Sequence, residues 1–294
     1  PRASSSVGPL RPGCGASRPS SAGAGRTVRL DHLGYSGLRL TWPGGATVAV
    51  DPPAQVEGPV VLTWSEPERT RGARLGAGHV AAHPALLAAL GIRGVHLGSG
   101  TALLDGFALR AAAYRPIPYA VPAEAIRKAR TALLRPRLAA SRLWNTLRRP
   151  HDPPMVVELA HEGVRVLLLG QSLHRFADAR QLAEQFVGAD VAVAGTDFED
   201  EEATGRLLAQ FAARHNVLAD LVGEVRRELG LPVRPLPASL GTAPPGTRAL
   251  EPGQSLSLWA PSQYGRENVS SVHGVSRGVR PRGDVAAGGP TDTS

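Results

Sequence analysis

Short apolar runs bounded by glycine and proline are the feature that most constrains the fold of this chain. The segment TVRLDHLGYSGLRLTWPGGATVAVDPP, residues 27 to 53, contains three strand-like pieces. They are separated at Gly34, at a Pro-Gly-Gly turn and at Pro52, where the backbone leaves an extended conformation most easily. This region therefore predicts a meander of three short strands.

The rest of the chain alternates strands with helices. HVAAHPALLAALGI predicts the end of a strand and then a helix that begins at Pro84 and ends at Gly91. In the second half, MVVELAHEGVRVLLLG predicts a hairpin that turns at Glu162 and Gly163, ADARQLAEQF a helix and ADVAVAG a strand. We also expect a helix near 200 to 229 and a closing hairpin in TRALEPGQSLSLW. Two such halves predict two sheets sandwiched between helices, an αββα fold of the α/β class.

The two ends of the chain differ in composition from its middle. Residues 1 to 26 and 262 to 294 are rich in Gly, Pro, Ser and Arg and contain few large apolar side chains. Such segments bury too little apolar surface to offset the entropy of ordering, so we expect disordered tails. Between them we expect one domain, residues 27 to 261, with a basic helical insertion at about 120 to 151.

The net charge of +8 is concentrated in two segments. Residues 1 to 26 carry four arginines and no acid, and residues 122 to 151 carry eight basic residues against Glu124, a net +7. These segments supply +11, which leaves −3 for the rest of the chain, so the main body is not basic.

The insertion predicts two short amphipathic helices. Ile126, Ala129 and Leu133 share one apolar face, and a second such face follows Pro136. Three interpretations stay open: a cap packed on the domain, a patch for an anionic membrane surface, and a contact to nucleic acid or a phosphoester. The basic residues that would make the anionic contact include Arg127, Lys128, Arg130, Arg148 and Arg149.

Cysteine content and hydropathy limit the class of protein. Cys14 is the only cysteine, so neither an intrachain disulfide nor a thiolate metal cage can form, and we expect a cytoplasmic protein. No apolar run approaches the roughly 18 to 20 residues that a membrane-spanning helix needs. We therefore expect no transmembrane segment.

One loop combines an apolar strand end with a high density of charge. In VVLTWSEPERTRG, residues 60 to 72, the apolar run ends and a short turn follows. The side chains of this turn are Trp64, Glu66, Glu68 and Arg69. An arginine paired with two carboxylates could hold the shape of the loop, or one carboxylate could act as a general base.

Five markers, taken in order, resemble the metallo-β-lactamase-fold superfamily. HLGYSGLRL stands where that family has a Gly-His-Ser/Ala-Gly turn, TVAVDPP where a strand ends in Asp-Pro, and VLTWSEPERTRG at the metal-binding loop. VRVLLLGQSLH stands where a strand ends in Gly-Asp-Ser/Thr, and LEPGQSLSL at the closing hairpin. The resemblance covers about residues 27 to 260 and is nearest to the branch of the L-ascorbate-6-phosphate lactonases. It implies an αββα sandwich of the metallo-β-lactamase type and descent from a metal-dependent hydrolase.

The resemblance also implies that the metal-binding loop, Thr-His-x-His-x-Asp-His in the family, has lost its ligands. Trp64 and Arg69 stand at the first and last histidines, Glu66 at the middle histidine and Glu68 at the aspartate. An indole nitrogen only donates hydrogen bonds and a guanidinium is always charged, so neither coordinates a cation.

The remaining ligand positions are substituted as well. Tyr35 stands for the histidine of the first turn, Arg115 for a later histidine and Gln171 for the aspartate that bridges two metals. We therefore predict a cleft without a metal ion or another cofactor. The residues that we expect to line it, or to contact a ligand in it, are Tyr35, Trp64, Glu66, Glu68, Arg69, Arg115, Gln171, Ser172 and His174.

Several other residues are of types that can carry out catalysis or bind a metal. Ser172 follows a buried strand and precedes His174 by two residues, but it lacks the second glycine of a nucleophile elbow, so a helix cap is the simpler interpretation. His83 should cap a helix and leave His79 on the preceding strand, and His215 looks helical, although it is the one candidate for the family's last ligand.

Two functions follow as alternatives. In the first, the chain is a non-catalytic or metal-independent descendant that binds an unidentified small molecule or protein partner. In the second, it hydrolyses a small phosphorylated or lactone substrate with a rearranged site, built from His32, His174 and Glu66, that holds one zinc or manganese ion. The loss of the principal ligands favours the first.

Overall fold

A computed structural model describes most of the domain that the sequence predicts. The residues described are 26–63, 79–98, 100–114, 154–170, 179–195, 201–221, 223–228 and 243–260, with isolated positions at 129, 133, 136, 140, 233 and 236. The predicted tails lie outside these residues, apart from Arg26, and so does nearly all of the predicted insertion. The proposed division of the chain into tails and domain stays a prediction.

The first sheet has seven strands in the order β14-β1-β2-β3-β4-β5-β6. Strands β14, β1, β2 and β3 pair antiparallel, and β3 to β6 pair parallel. Their bounds are Arg26–Gly34 (β1), Gly37–Thr41 (β2), Thr47–Val50 (β3), Val60–Leu62 (β4), Val80–Ala82 (β5), Val95–His96 (β6) and Ser255–Ala260 (β14).

The second sheet also has seven strands, in the order β13-β12-β11-β10-β9-β8-β7. Strands β7 to β10 pair antiparallel, and β10 to β13 pair parallel. Their bounds are Gly100–Leu104 (β7), Phe107–Ala113 (β8), Met155–His161 (β9), Val164–Leu168 (β10), Val191–Gly195 (β11), His215–Ala219 (β12) and Arg248–Leu250 (β13).

The two sheets face each other across the main core. Alternate residues of each strand, such as Val28 and Leu30 in β1 and Val157 and Leu159 in β9, are fully buried in one cluster that both sheets supply. Burial of this kind stabilises a fold by about 25 cal/mol for each Å² of apolar surface removed from water. Strand geometry places residues two apart on one face, so these alternate side chains all reach the same core.

Helices cover the outer faces of both sheets. Helix α1 (Pro84–Leu90) packs Leu86 and Leu87 on the first sheet, against Val60 and Leu62. Helices α2 (Ala179–Gln185) and α3 (Glu201–Phe211) cover the second sheet, and a short α4 (Gly223–Glu228) follows β12. The predicted αββα sandwich is confirmed.

Local turn and cap predictions in the described residues are also confirmed. The His83 side chain accepts a hydrogen bond from the backbone N–H of Ala85, and Gly91 ends α1 in the left-handed conformation at φ 67°. The hairpin between β9 and β10 turns at Glu162 and Gly163, which both have positive φ, as a two-residue turn of this kind requires.

The prediction of a helix near 200 to 229 is wrong, because a buried strand interrupts it. Helix α3 ends at Phe211, Ala212 adopts a φ of +48°, and β12 then enters the sheet between β11 and β13. Val217 faces the core between the sheets, while Leu218 packs under the helices. A strand buried on both faces reads as an apolar run, which periodicity cannot distinguish from a buried helix.

The predicted closing hairpin is wrong as well. Strand β13 pairs with β12 in the second sheet, whereas β14 pairs with β1 in the first sheet. Leu250 and Leu258 therefore enter the same core from opposite sheets. The Gly253 turn connects the two layers, which a local pattern of two strands and a turn cannot reveal.

No helix among the described residues is both long and apolar enough to cross a membrane.

A glycine beside β6 gives a direct test of the packing. A Cβ atom on Gly94 would lie below 3.0 Å from the backbone oxygen of Val80, closer than real Cβ atoms come, whereas one on Gly98 would meet nothing within 4 Å. We expect Gly94→Ala to lower the free energy of unfolding by about 1–3 kcal/mol. The matched Gly98→Ala variant should stay within about 0.5 kcal/mol of the parent. Equal values from urea unfolding would contradict this register of β5 and β6.

Candidate functional site

The candidate site lies where several strands end at one edge of the sandwich. Asp51 follows β3, Thr63 follows β4, Gly170 lies two residues beyond β10 and Asp220 follows β12. In sheets of this class, ligands bind outside the carboxyl ends of the strands. A cavity of about 30 Å³ opens there between the sheets, with polar groups from Ser36, Asp51, Thr63 and Tyr114 in its lining. It has room for one or two water molecules.

Asp51 and Thr63 are joined by two hydrogen bonds at this edge. The Thr63 backbone N–H donates to Asp51 Oδ1 at 2.9 Å, and the Thr63 hydroxyl donates to Oδ2 at 2.5 Å. Both side chains are buried, and Asp51 has a φ of +43°, a conformation that non-glycine residues seldom adopt. The pair therefore joins the ends of β3 and β4, and the hydrogen bonds hold Asp51 in its unusual backbone conformation.

His32 is buried and has protein partners on both ring nitrogens. The Gly34 N–H lies 3.1 Å from Nδ1, which must accept, so Nε2 carries the proton and donates to the Asp220 carbonyl oxygen at 2.9 Å. Burial lowers the pKa of His32, and the nearby Asp220 and Glu224 offset that effect in part. A neutral imidazole with both nitrogens occupied is a structural group.

Tyr35 connects the turn after β1 to helix α4. Its backbone N–H donates to the Glu224 carboxylate, and its hydroxyl donates to Glu228 Oε1 at 2.6 Å. On the other side, the Gly223 N–H donates to Asp220 Oδ1 at 2.6 Å, so a carboxylate caps the start of α4. Tyr35 thus holds helix α4 in place through both its backbone and its side chain.

Tyr35 is the only predicted cleft residue among those described. The others, together with the five basic residues predicted for an anionic surface, lie outside the described residues: Trp64, Glu66, Glu68, Arg69, Arg115, Gln171, Ser172, His174, Arg127, Lys128, Arg130, Arg148 and Arg149. Their roles stay predictions.

His79, His83 and His215, the other described histidines that the sequence offers as metal ligands, each bond to a different protein group. His215 begins β12 instead of lying in a helix, which corrects the sequence prediction, and its Nε2 lies 2.6 Å from the Trp259 carbonyl oxygen. His79 bonds to Asp105 on the surface, and His83 caps α1. Within the described ranges, no group of three or more His, Cys, Asp or Glu side chains could hold a metal ion.

Sequence reasoning missed the contributions of Asp51, Asp220 and Tyr114 to this edge. Asp51 had a local signal, because an aspartate directly after a buried strand and before two prolines must turn there. Tyr114 had none, and only the structure shows that it lines the cavity and that burial raises the pKa of its phenol. Asp220 is recognisable as a cap only once α4 is known.

No protein-family model matches this chain, and no curated protein matches it. Among solved structures, it is similar to an isothiocyanate hydrolase from Delia radicum gut bacteria, with a TM-score of 0.46 and 13% identity over 79% of this chain and 99% of that one. Zn²⁺-bound PqqB from Methylobacterium extorquens gives a TM-score of 0.46 and 12% identity over 79% and 100%.

The metallo-β-lactamase-fold protein YhfI from Bacillus subtilis gives a TM-score of 0.45 and 9% identity, over 80% of this chain and 100% of that one. The chain is an αββα sandwich by its own strand order and packing, and its similarity to these proteins is one of structure.

Proposed function

We propose that this chain is a metallo-β-lactamase-fold protein that works without a metal ion at its strand-end edge and binds a ligand or partner instead of hydrolysing a substrate. One observation carries the proposal: four of the polar side chains described at that edge are bonded to protein groups. His32, Tyr35, Asp51 and Asp220 each make at least one hydrogen bond that secures a strand end or helix α4.

The bonding of His32 and Tyr35 does not fit a metal ion. A zinc site needs three or four deprotonated donors around one point. Both nitrogens of His32 are occupied, and the Tyr35 phenol donates its proton to Glu228. Recruiting either residue as a ligand would break bonds that hold the turn after β1 and helix α4.

The identities of the loop residues support the same proposal. The positions that match the family's ligands include Arg69 and Arg115, whose guanidinium groups are permanently charged. At an effective dielectric constant near 20, a unit charge about 4 Å from a divalent cation costs about 8 kcal/mol. The described cavity of about 30 Å³ is too small for an organic ligand. We therefore expect a ligand at this edge to contact the predicted cleft side chains Trp64, Arg115 and Gln171.

Elemental analysis tests the absence of metal. We expect protein that is expressed with added zinc, manganese and iron, and purified without an affinity tag, to contain far less than one metal ion per chain. Its melting temperature should not change when a chelator is added, because no ligand set depends on a cation.

A control variant distinguishes metal that is bound by a surface histidine from metal that is bound at the strand-end edge. His79 is exposed, so a trace of metal that disappears in the His79→Ala variant belongs to the surface. Near one metal per chain in that variant, with a melting temperature that falls on chelation, would contradict the proposal and favour the single-metal hydrolase.

A structural role for His32 predicts how stability depends on pH. Its folded pKa lies below the unfolded value near 6.5, so the unfolded chain binds the proton first as the pH falls. At pH 8 we expect the free energy of unfolding of His32→Gln to be about 1–3 kcal/mol lower than that of the parent. The substitution disturbs the two buried hydrogen bonds of the imidazole ring. Below pH 6.5, towards the lowered folded pKa, that difference should shrink, since only the parent loses stability by protonation of this group. Urea unfolding between pH 8 and pH 5 measures it, and a constant difference would contradict the assignment.

One described residue favours a second function for the basic insertion. Leu133, on its predicted apolar face, is 82% exposed. An exposed leucine within a segment of net charge +7 fits a helix that lies on an anionic membrane surface. We therefore favour the membrane interpretation of residues 122 to 151 over a packed cap.

Charge reversal tests this contact. Arg148→Glu with Arg149→Glu lowers the net charge of the segment from +7 to +3. We expect binding to vesicles that contain phosphatidylserine to weaken at least about tenfold at low salt, because each basic residue near such a surface contributes about 1 kcal/mol. The matched variant Arg11→Glu with Arg18→Glu changes the tail by the same charge and should bind nearly as the parent does. Equal losses in both variants, or preference for an oligonucleotide over vesicles, would overturn the membrane assignment.

A further inference from the structure

A second cavity lies away from the strand-end edge, on the outer face of the second sheet. It is a groove of about 310 Å³ between helix α2 and the edge formed by β7 and β8. Sites for small molecules begin at about this size. The groove does not share a lining residue with the cavity between the sheets.

The groove exists because small residues lie opposite the helix. Strand β8 ends in Ala111, Ala112 and Ala113, and β7 begins at Gly100. These positions leave unfilled the space beside Leu182 and Phe186, which close the apolar side of the groove. Larger side chains on β8 would have filled it, as Val156 and Leu167 do in the packed region nearby.

Arg110 is the one charged residue in the described lining, and three protein groups hold it. Its Nη1 donates to Glu158 Oε1 at 3.4 Å, and its Nη2 donates to the Gln185 carbonyl oxygen at 3.1 Å. Its Cζ atom lies 5.1 Å from the centre of the Phe186 ring. These two hydrogen bonds use two of the five guanidinium N–H groups, and the side chain is still 43% exposed.

The local charge balance favours an anion in this groove. Glu158 is almost fully buried and also bonds Arg165, whose Nη2 lies 2.5 Å from Oε2. Two guanidinium groups therefore share one carboxylate, which leaves a net positive charge. Because Glu158 is closer to Arg165 than to Arg110, the uncompensated part lies on the Arg110 side.

We propose that this groove binds a small organic oxyanion, a carboxylate or a phosphate monoester with a compact apolar body. The remaining N–H groups of Arg110 form a fork that suits two oxygens of such a group. The Thr101 hydroxyl and the Gln181 and Gln185 amides supply further hydrogen-bonding groups along the lining. Ala112 and Phe186 receive the apolar body. Because Arg110 is already held in position, little conformational entropy is lost on binding.

Ligand-observed NMR with the full chain tests the site, with benzoate and phenyl phosphate as probes and uncharged benzyl alcohol as the matched control. We expect one or both anions to bind and benzyl alcohol to bind at least tenfold more weakly. Arg110→Gln should weaken anion binding at least tenfold, since it removes the charge and the fork. Arg180→Gln, which removes the same charge from an exposed residue of α2 outside the lining, should change binding less than twofold.

A second variant keeps the charge of Arg110, so that a loss of binding can be distinguished from a loss of folding. Ala112→Leu fills the groove and leaves Arg110 in place, so it should abolish anion binding while the protein keeps a cooperative melting transition. The proposal is overturned if neither anion binds at millimolar concentration, if Ala112→Leu binds like the parent, or if the Arg110 and Arg180 variants lose affinity equally. Each outcome is independent of metal at the strand-end edge, so this proposal and the proposed function stand or fail separately.

Discussion

The burial of two seven-stranded sheets against each other is the constraint on which the rest of this structure depends. Alternate side chains from β1, β2, β9 and β10 meet in one apolar cluster, and the opposite faces are left for helices or solvent. Because each strand must deliver its apolar residues to that layer, its end is brought to a definite place at the edge of the sandwich. The candidate site is a consequence of this arrangement, since Asp51, Thr63 and Asp220 each follow a strand that the core has positioned.

Polar groups at that edge hold the backbone together. The Asp51 carboxylate joins two strand ends, His32 joins β1 to the end of β12, and Tyr35 joins the first turn to α4. A buried polar group that loses its partner costs about 1–3 kcal/mol, so these residues resist recruitment by a cation or a substrate. A hydrolase edge needs donors that are held in position yet free to bind. In the described part of this edge, His32, Tyr35 and Asp51 are already bonded to protein groups.

The groove on the outer face illustrates the opposite arrangement. Arg110 is held by Glu158, the Gln185 carbonyl and the Phe186 ring, but these contacts leave part of its guanidinium exposed to an open space of about 310 Å³. A guanidinium that is held by protein groups on one side and exposed to solvent on the other is preorganised for a ligand. The contrast between the two places depends on neighbours distant in sequence, so residue identity alone does not distinguish them.

Local signals of the sequence were sufficient for much of this fold. The breaks at Gly34 and Pro52, the helix between Pro84 and Gly91 and the Glu162-Gly163 turn each rest on backbone preferences that neighbouring residues decide. The layered αββα architecture followed from their alternation. The side-chain types alone were also enough to exclude Trp64 and Arg69 as metal ligands. An indole and a guanidinium have no nitrogen lone pair available to coordinate a cation in any fold.

What the sequence could not determine depends on contacts between distant segments. Whether HNVLA is helix or strand was decided by the gap between β11 and β13, and the Gly253 turn joins two sheets because Leu250 and Leu258 fill one core from opposite sides. The partners of Tyr35, the neutral tautomer of His32 and the exposed face of Arg110 likewise come from residues 48 to 193 positions away in the chain. The sequence by itself determined the local conformations and the chemistry each side chain can perform; the tertiary structure alone decided which groups are free to perform it, because burial and hydrogen bonding across the two sheets set each group's partners and charge state.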